Sequence, residues 1–465
     1  MGRDATGESG AGAARRRAAG AFALWLALFV LYTANRRVAG AGDTVPATLQ
    51  AVAFARGDGP VLDRFDDVLR TPDGRLPGYA QDARGHVVSR YPIGPALVAA
   101  PLVAPQVWLL DAIEPGWERD RKNVRMRCNR LAKNAAAALV AGTAVVMLGV
   151  LRRLGLGAVA TPAVAAAALG SGDLSVASQA LWQHGPAAFC LAAAIALVTA
   201  GPASRGRLAG AGLAAALMVT CRPVDLPFAA ALALWVLSHH DRPRRWAFFA
   251  PAALVAALLS AYHLYFFDTL TGGYAKIEQM HPWAHGVRGS WATPLLAGLA
   301  GTLASPSHGL FVYAPWVPLA LVVLPRSWPD WARRSGPDAP PGESRSAVAW
   351  LLVALVPNLI LLSKYSCWWG GHCFGARFWI DANPLFAIAM ALGLDWSRRR
   401  ARPLFALFAL AVVAGVALNA VGWACYPSTW HGKPANADRH HHRLWDWRDN
   451  EVTRGLREGP KPPQW

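Results

Sequence analysis

Apolar runs of roughly 16–23 residues recur from one end of the chain to the other, and short clusters of arginine separate them. Inside a hydrocarbon layer such a run can satisfy its backbone as a helix, so the pattern predicts a helical protein that crosses a membrane many times. Composition agrees: 54% of the 465 residues are hydrophobic and 16% are charged. That mix excludes an ordinary soluble domain. A net charge of +18 would suggest nucleic acid in a soluble protein. Here the arginines lie between apolar runs, where membrane topology accounts for them, and no nucleic-acid partner is expected.

The first run follows Arg15, Arg16 and Arg17 and continues into Tyr32 and Asn35 without a small-x-small cleavage site. It reads as an uncleaved span over about 19–35, preceded by a polar cytoplasmic tail, 1–18. A long loop of mixed charge follows, 36–130. Within it, 92–113 is apolar enough to cross but is interrupted by Pro95, Pro101 and Pro105. Ten further spans are expected, at about 131–151, 156–178, 186–201, 208–222, 224–238, 246–267, 309–324, 347–363, 378–396 and 403–424. Alternate connections then carry Arg152 and Arg153, Arg205 and Arg207, Arg242, Arg244 and Arg245, the stretch from Arg326 to Arg345, and Arg398, Arg399, Arg400 and Arg402. If 92–113 crossed, all of these would move outside, against the bias of positive charge to the cytoplasm, unless another crossing lay in 291–304.

The expected fold class is therefore all-α: a polytopic membrane protein of about eleven transmembrane helices, N-terminus cytoplasmic. Its long first outer loop carries interfacial helices, 92–113 among them. The membrane domain spans 19–425, and a Trp-rich tail, 426–465, lies outside. Heavy use of alanine, arginine and glycine fits a GC-rich bacterial genome, and hence the bacterial inner membrane.

On this topology polar side chains collect on the outer face, the strongest argument for a site there. Asp43, in Gly40-Ala41-Gly42-Asp43-Thr44-Val45-Pro46, stands just beyond the first span. Two readings are open: an N-cap for a helix over 46–54, or the lone carboxylate that glycosyl transfer at a membrane face needs. His184, after Gln183, could relay a proton or bind a metal, or could be an interfacial histidine beside Pro186. Lys364, Trp369, His372 and Arg377 fall in one late outer stretch, where Arg377 supplies a planar fork for a lipid phosphate or simply snorkels to headgroups. Trp368 and Trp369 stack on a sugar or belong to the aromatic belt. Arg222 is a second candidate phosphate contact, and Tyr91 opens the proline-rich segment. His440, His441 and His442 read as a solvated run, and 305–311 as a structural turn. Cys190 and Cys221 read as inert core residues, whereas Cys367 and Cys373, or Cys128 and Cys425, are candidates for pairing. No nucleotide-binding motif stands in a supporting context, which disfavours a cytoplasmic nucleotide-sugar donor.

Several short motifs resemble the GT-C superfamily of membrane glycosyltransferases, which includes protein O-mannosyltransferases and bacterial transferases of aminoarabinose from polyprenyl phosphate. These are the first-loop acid at Asp43, Tyr91-Pro92-Ile93-Gly94-Pro95, Arg152-Arg153-Leu154-Gly155, Trp368-Trp369-Gly370-Gly371 with Gly375-x-Arg377 and a following Asp and Pro, and Arg443-Leu444-Trp445-Asp446-Trp447. The resemblance covers about 19–425 and makes Asp43 the match of the catalytic acid. It implies an inverting transferase moving a sugar from a polyprenyl-phosphate donor to a hydroxyl of a lipid or glycan acceptor. The chain departs from the family where Ser178-Gln179 is followed by His184 in place of an acid, and where Thr44 follows Asp43 in place of a second acid. No metal ligands are assigned, and a divalent metal stays open. A carrier or flippase, a glycan polymerase, and a membrane subunit without a site are the competing classes.

Overall fold

A computed structural model describes residues 5–274, 276–277, 289–335 and 340–465. Parts of the expected N-terminal tail and of the basic connection from Arg326 to Arg345 lie outside the described residues. The architecture is all-α and polytopic. Among the described residues seven helices are long and apolar enough to cross a membrane: Arg15–Thr33, Gly94–Ile113, Arg121–Arg153, Arg242–Phe267, Gly342–Lys364, Arg377–Arg400 and Arg402–Cys425. Shorter apolar helices, Gly157–Leu169, His184–Val198, Pro223–His239 and Leu295–Ala304, join them in the bundle, as do the 17-residue helices Arg205–Cys221 and Trp316–Ala332. Its outer surface exposes large apolar side chains, including Phe22, Val30, Leu254, Leu258, Leu410 and Val413. Faces of that kind are solvated by lipid.

The Asn383–Arg400 helix is the axis. It is buried almost continuously from Asn383 to Asp395 and packs on Trp316–Ala332, Gly157–Leu169 and Arg402–Cys425. Small residues bring helix backbones together, as expected where lipid supplies no hydrophobic drive between helices. A Cβ at Gly298 would stand 1.8 Å from the carbonyl oxygen of Ser363, so glycine there sets the crossing of Leu295–Ala304 on Leu355–Lys364.

Several expected spans are broken. The expected span 156–178 ends as a helix at Leu169 and passes into a single π turn, Asp173–Ala177. The expected span 378–396 begins as a tight 3-10 turn, Arg377–Ala382. These departures from regular helix put polar side chains at the head of the bundle. The loop 36–130 is itself ordered. It holds the Val45–Arg56 helix, a hairpin pairing Ala80 with Ser89 and Ala83 with His86, and the helix Gly94–Ile113. The hairpin turns through Arg84 and Gly85, both at positive φ, as a two-residue primed turn requires. Gly94–Ile113 is continuous through Pro101 and Pro105. It buries Ala96, Ala99, Val103 and Val107 and exposes Trp108, Leu109 and Ile113. Length and composition place this helix among the seven able to cross.

Residues 291–304 hold no second long span. Their helix, Leu295–Ala304, has 10 residues, about 15 Å of rise, half a hydrocarbon layer. All six cysteines are free thiols, so neither candidate pairing forms. The tail after Cys425 folds back on the bundle: Lys461 donates to Ala424 O at 3.0 Å and the Gln464 amide to Arg36 O at 2.9 Å.

Candidate active site

The Val45–Arg56 helix is entered through Thr44, whose hydroxyl donates to Ala41 O at 2.9 Å, and no side chain caps it. This removes the N-cap reading of Asp43. Its carboxylate is not an N-cap but turns away from the helix to Arg377, where Oδ2 accepts from Nη1 at 3.0 Å. The two side chains are 14% and 13% exposed. Each keeps one buried atom without a partner, Oδ1 of Asp43 and Nε of Arg377. The Arg377 guanidinium lies over the Trp182 ring at 4.6 Å and the Phe378 ring at 5.4 Å. Trp182 is fixed by donating from Nε1 to Ala39 O at 3.1 Å.

The loop carrying Arg377 is built from glycine. Gly370, Gly371 and Gly375 have φ of 80°, 69° and 60°, a region that side chains disfavour. A Cβ at Gly375 would also meet the Tyr313 ring at 2.5 Å. The tail holds this loop: Glu451 Oε2 accepts from the Gly375 amide at 2.7 Å. The other end of the tail holds the segment leading to Asp43, because the Val38 amide donates to Gln464 Oε1 at 2.9 Å.

A second buried cluster shares the Phe378 ring with the first. Arg222 sits over that ring at 5.1 Å and donates to Asp381 Oδ2. His184 Nδ1 lies 3.1 Å from Asp381 Oδ1. His184 thus faces a carboxylate and a guanidinium rather than solvent. Between the clusters, Tyr274 donates its hydroxyl to Gln183 Oε1 at 2.9 Å and meets Tyr91 edge-to-face at 6.5 Å. Burial, then the negative charge of Asp43, pushes the Tyr91 phenol above its ordinary value. Burial likewise pushes Tyr274 up to about 12. Both phenols therefore stay protonated at neutral pH, able to donate to sugar or phosphate oxygens.

Of the residues selected from the sequence, Asp43, Arg377, Gln183, Tyr91, His184 and Arg222 come together at this end of the bundle. Trp369 and His372 turn the other way. Trp369 Nε1 donates to Asp438 Oδ1 at 2.8 Å, and His372 Nε2 pairs with Asp438 Oδ2 at 2.9 Å. Tail residues drew them off, and local spacing in the Trp368–Arg377 stretch carries no sign of that partner. Lys364 ends the Leu355–Lys364 helix; its backbone oxygen accepts from Thr293 N at 3.2 Å. Asp381, Tyr274, Trp182 and Phe378 were missed. For Asp381 the signal was a carboxylate at the head of an apolar run, which a membrane protein rarely keeps without use. Lys133, wholly buried, was also missed, and it donates to Gln179 Oε1. Among the described residues no group of three or more histidine, cysteine or carboxylate side chains is arranged to hold a metal ion.

Fold and site together define a polytopic membrane protein with a mostly buried acid–guanidinium pair at one end of its bundle. No family model matches the chain, and no curated protein matches it. Among solved structures it is similar to ArnT from Cupriavidus metallidurans bound to undecaprenyl phosphate, at 14% identity and a TM-score of 0.47. That match covers 89% of this chain and 66% of ArnT, so the chain spans just under two thirds of its length.

Proposed function

We propose that this chain is an inverting glycosyltransferase that moves a sugar from a polyprenyl-phosphate donor to an acceptor hydroxyl at the outer membrane face. The observation that carries the reading is the Asp43–Arg377 pair, in which each partner retains one buried atom without a hydrogen bond. A buried polar atom without a partner is costly. A substrate that supplies one hydroxyl to Oδ1 and one phosphate oxygen to Nε would relieve both.

Within the ion pair the two charges neutralise one another. A donor phosphate competes for Arg377 and frees Asp43 to act as a base. Asp43 then takes the proton as the acceptor oxygen attacks the anomeric carbon. The bond from that carbon to the phosphate oxygen breaks with inversion, through an oxocarbenium-like transition state. Arg377 stabilises the charge on the departing polyprenyl phosphate, with Arg222, which shares the Phe378 ring, adding to the field. Tyr91, Tyr274 and Gln183 orient the sugar, and His184 is held by Asp381. In this reading the N-terminus is cytoplasmic, the tail is outside, and the Gly94–Ile113 helix lies at the outer interface beside the lipid.

The test is transfer by the purified protein from polyprenyl-phosphate sugars, comparing wild type with Asp43→Asn. Undiminished turnover in the variant overturns the assignment. The alternative, a carrier or glycan polymerase, draws on the buried Lys133 and Asp173, groups that mark ion or substrate paths in transporters. It requires movement of a lipid-linked sugar across vesicles without glycosidic bond formation, or chain elongation.

A further inference from the structure

The opposite end of the axial helix carries a second concave polar feature. Asp330, Arg333, Arg334, Arg399 and Arg400 line a cavity of about 500 Å³. It forms where Trp316–Ala332 and Asn383–Arg400 end together. The axial helix has 18 residues, about 27 Å of rise, so this cavity stands roughly a hydrocarbon thickness from the Asp43–Arg377 end.

Charge within it is unbalanced. Asp395, behind the lining, takes Arg334, Arg399 and Arg398, and Asp330 takes Arg400 at 3.0 Å. Among the described residues Arg333 has no ion pair, and Arg334 keeps a buried Nε without a partner. Among the described residues four arginines and one carboxylate line the cavity, with Asp395 and Arg398 paired behind it. Topology explains why arginines end these spans, but not why they converge on a void. Arg153, by contrast, ends its helix by donating to the Ala196 carbonyl at 3.3 Å. Trp331 is wholly buried and donates to Leu154 O at 2.8 Å, so this end of Trp316–Ala332 is anchored in the core beside the cavity.

We propose that this cavity binds a phosphate monoanion or diester, either the headgroup of an acidic phospholipid or free phosphate. Planar guanidinium forks suit the oxygens of a phosphate, and basic pockets between membrane helices recognise such headgroups. The site is separate from the proposed transfer reaction and does not depend on it.

The test uses the full chain purified in detergent. Arg333→Gln/Arg400→Gln is the chosen variant, because it leaves Asp395 with all its partners. Native mass spectrometry measures retention of phosphatidylglycerol against phosphatidylcholine, and thermal unfolding measures the shift caused by millimolar inorganic phosphate. Each cationic side chain removed should weaken phosphatidylglycerol retention about fivefold, about 25-fold for both. Loss of lipid retention without a phosphate-induced shift identifies the headgroup. A phosphate-induced shift present only in wild type identifies free phosphate. Arg333→Lys/Arg400→Lys, which keeps the charge, controls for folding and should retain more ligand than the glutamine variant. Equal phosphatidylglycerol retention in wild type and glutamine variant, with no phosphate shift in either, overturns the proposal.

Discussion

Asp43 and Arg377, separated by 334 positions, are joined by a 3.0 Å hydrogen bond between Oδ2 and Nη1. The acid stands where the first long helix has ended, and the guanidinium where the axial segment begins. If Asp43 is the base, Asp43→Asn keeps the hydrogen-bonding shape and removes the proton acceptor. Its turnover should fall by about 10²–10⁴, the usual worth of general-base catalysis. Donor binding should change far less, because Arg377 remains. A kcat loss at near-constant KM in a sugar-transfer assay is the expected result.

Arg377→Lys tests the fork. Lysine keeps the charge but cannot present paired N–H groups to a phosphate or stack on Trp182 and Phe378 as a plane. The donor KM should rise about tenfold or more, the worth of one charge-assisted hydrogen bond. Arg377→Gln should destabilise the fold by leaving Asp43 uncompensated, and adding Asp43→Asn should recover part of that loss. A double-mutant cycle of unfolding temperatures in detergent measures the coupling.

Asp381 is the shared acceptor for Arg222 and His184, and all three side chains are buried. Asp381→Asn strands the guanidinium and should cost about 3–5 kcal/mol. Arg222→Gln combined with Asp381→Asn removes both charges and should be more stable than Asp381→Asn alone. Denaturant midpoints of the purified proteins distinguish these outcomes.

The tail offers a pH test. Burial pushes the Glu451 carboxyl up to about 7 from an ordinary 4.5, against His308, His372 and the Gly375 amide, which pull it down. Burial holds His431 at about 3 against an ordinary 6.5, aided by His372 and Arg443 and opposed by Asp438. Glu451 contributes stability that is complete below about pH 4.5 and is lost as pH rises through about 7. His431 contributes stability present above about pH 6.5 and lost on acidification toward 3. Between pH 7.5 and 5 the Glu451 and His431 slopes oppose one another, and His308, held at about 4 by burial, adds to that of His431. Glu451→Gln removes the opposing slope and should lose about 2 kcal/mol more than wild type over that interval. Thermal melts at the two pH values check the difference.

The cysteines allow a simpler measurement. With all six thiols free, Cys367→Ser should unfold at the same temperature with and without reductant, as should wild type. A reductant-sensitive wild type would show a disulfide absent from this fold.

Much of the architecture was legible because hydrophobic length is a local property. Arg121–Arg153, Arg242–Phe267 and Arg402–Cys425 follow from runs that only a helix can carry through lipid. The interruptions at Leu169 and Arg377 carried a local signal, Gly170-Ser171-Gly172-Asp173 and Asp381-Ala382-Asn383-Pro384, which reading by the length of the apolar runs passed over. At the site, Asp43 and Arg377 could be selected from their positions at span ends. Trp369 and His372 had the same kind of position, yet both are bound to Asp438. Their partner lies beyond the last span, and no spacing within their own segment encodes it.

By itself, then, the sequence determined a many-helix membrane protein and marked which polar groups stand near helix ends, since both follow from the solvation of single segments. The tertiary structure decided that Asp43 meets Arg377, that Arg222 and His184 converge on Asp381, and that the tail grips the Gly370–Arg377 loop. Helices apolar on every side look alike to their neighbours, so their order in the bundle rests on close contacts such as Gly298 against Ser363 and on buried polar partners. Those terms exist only once distant segments have packed.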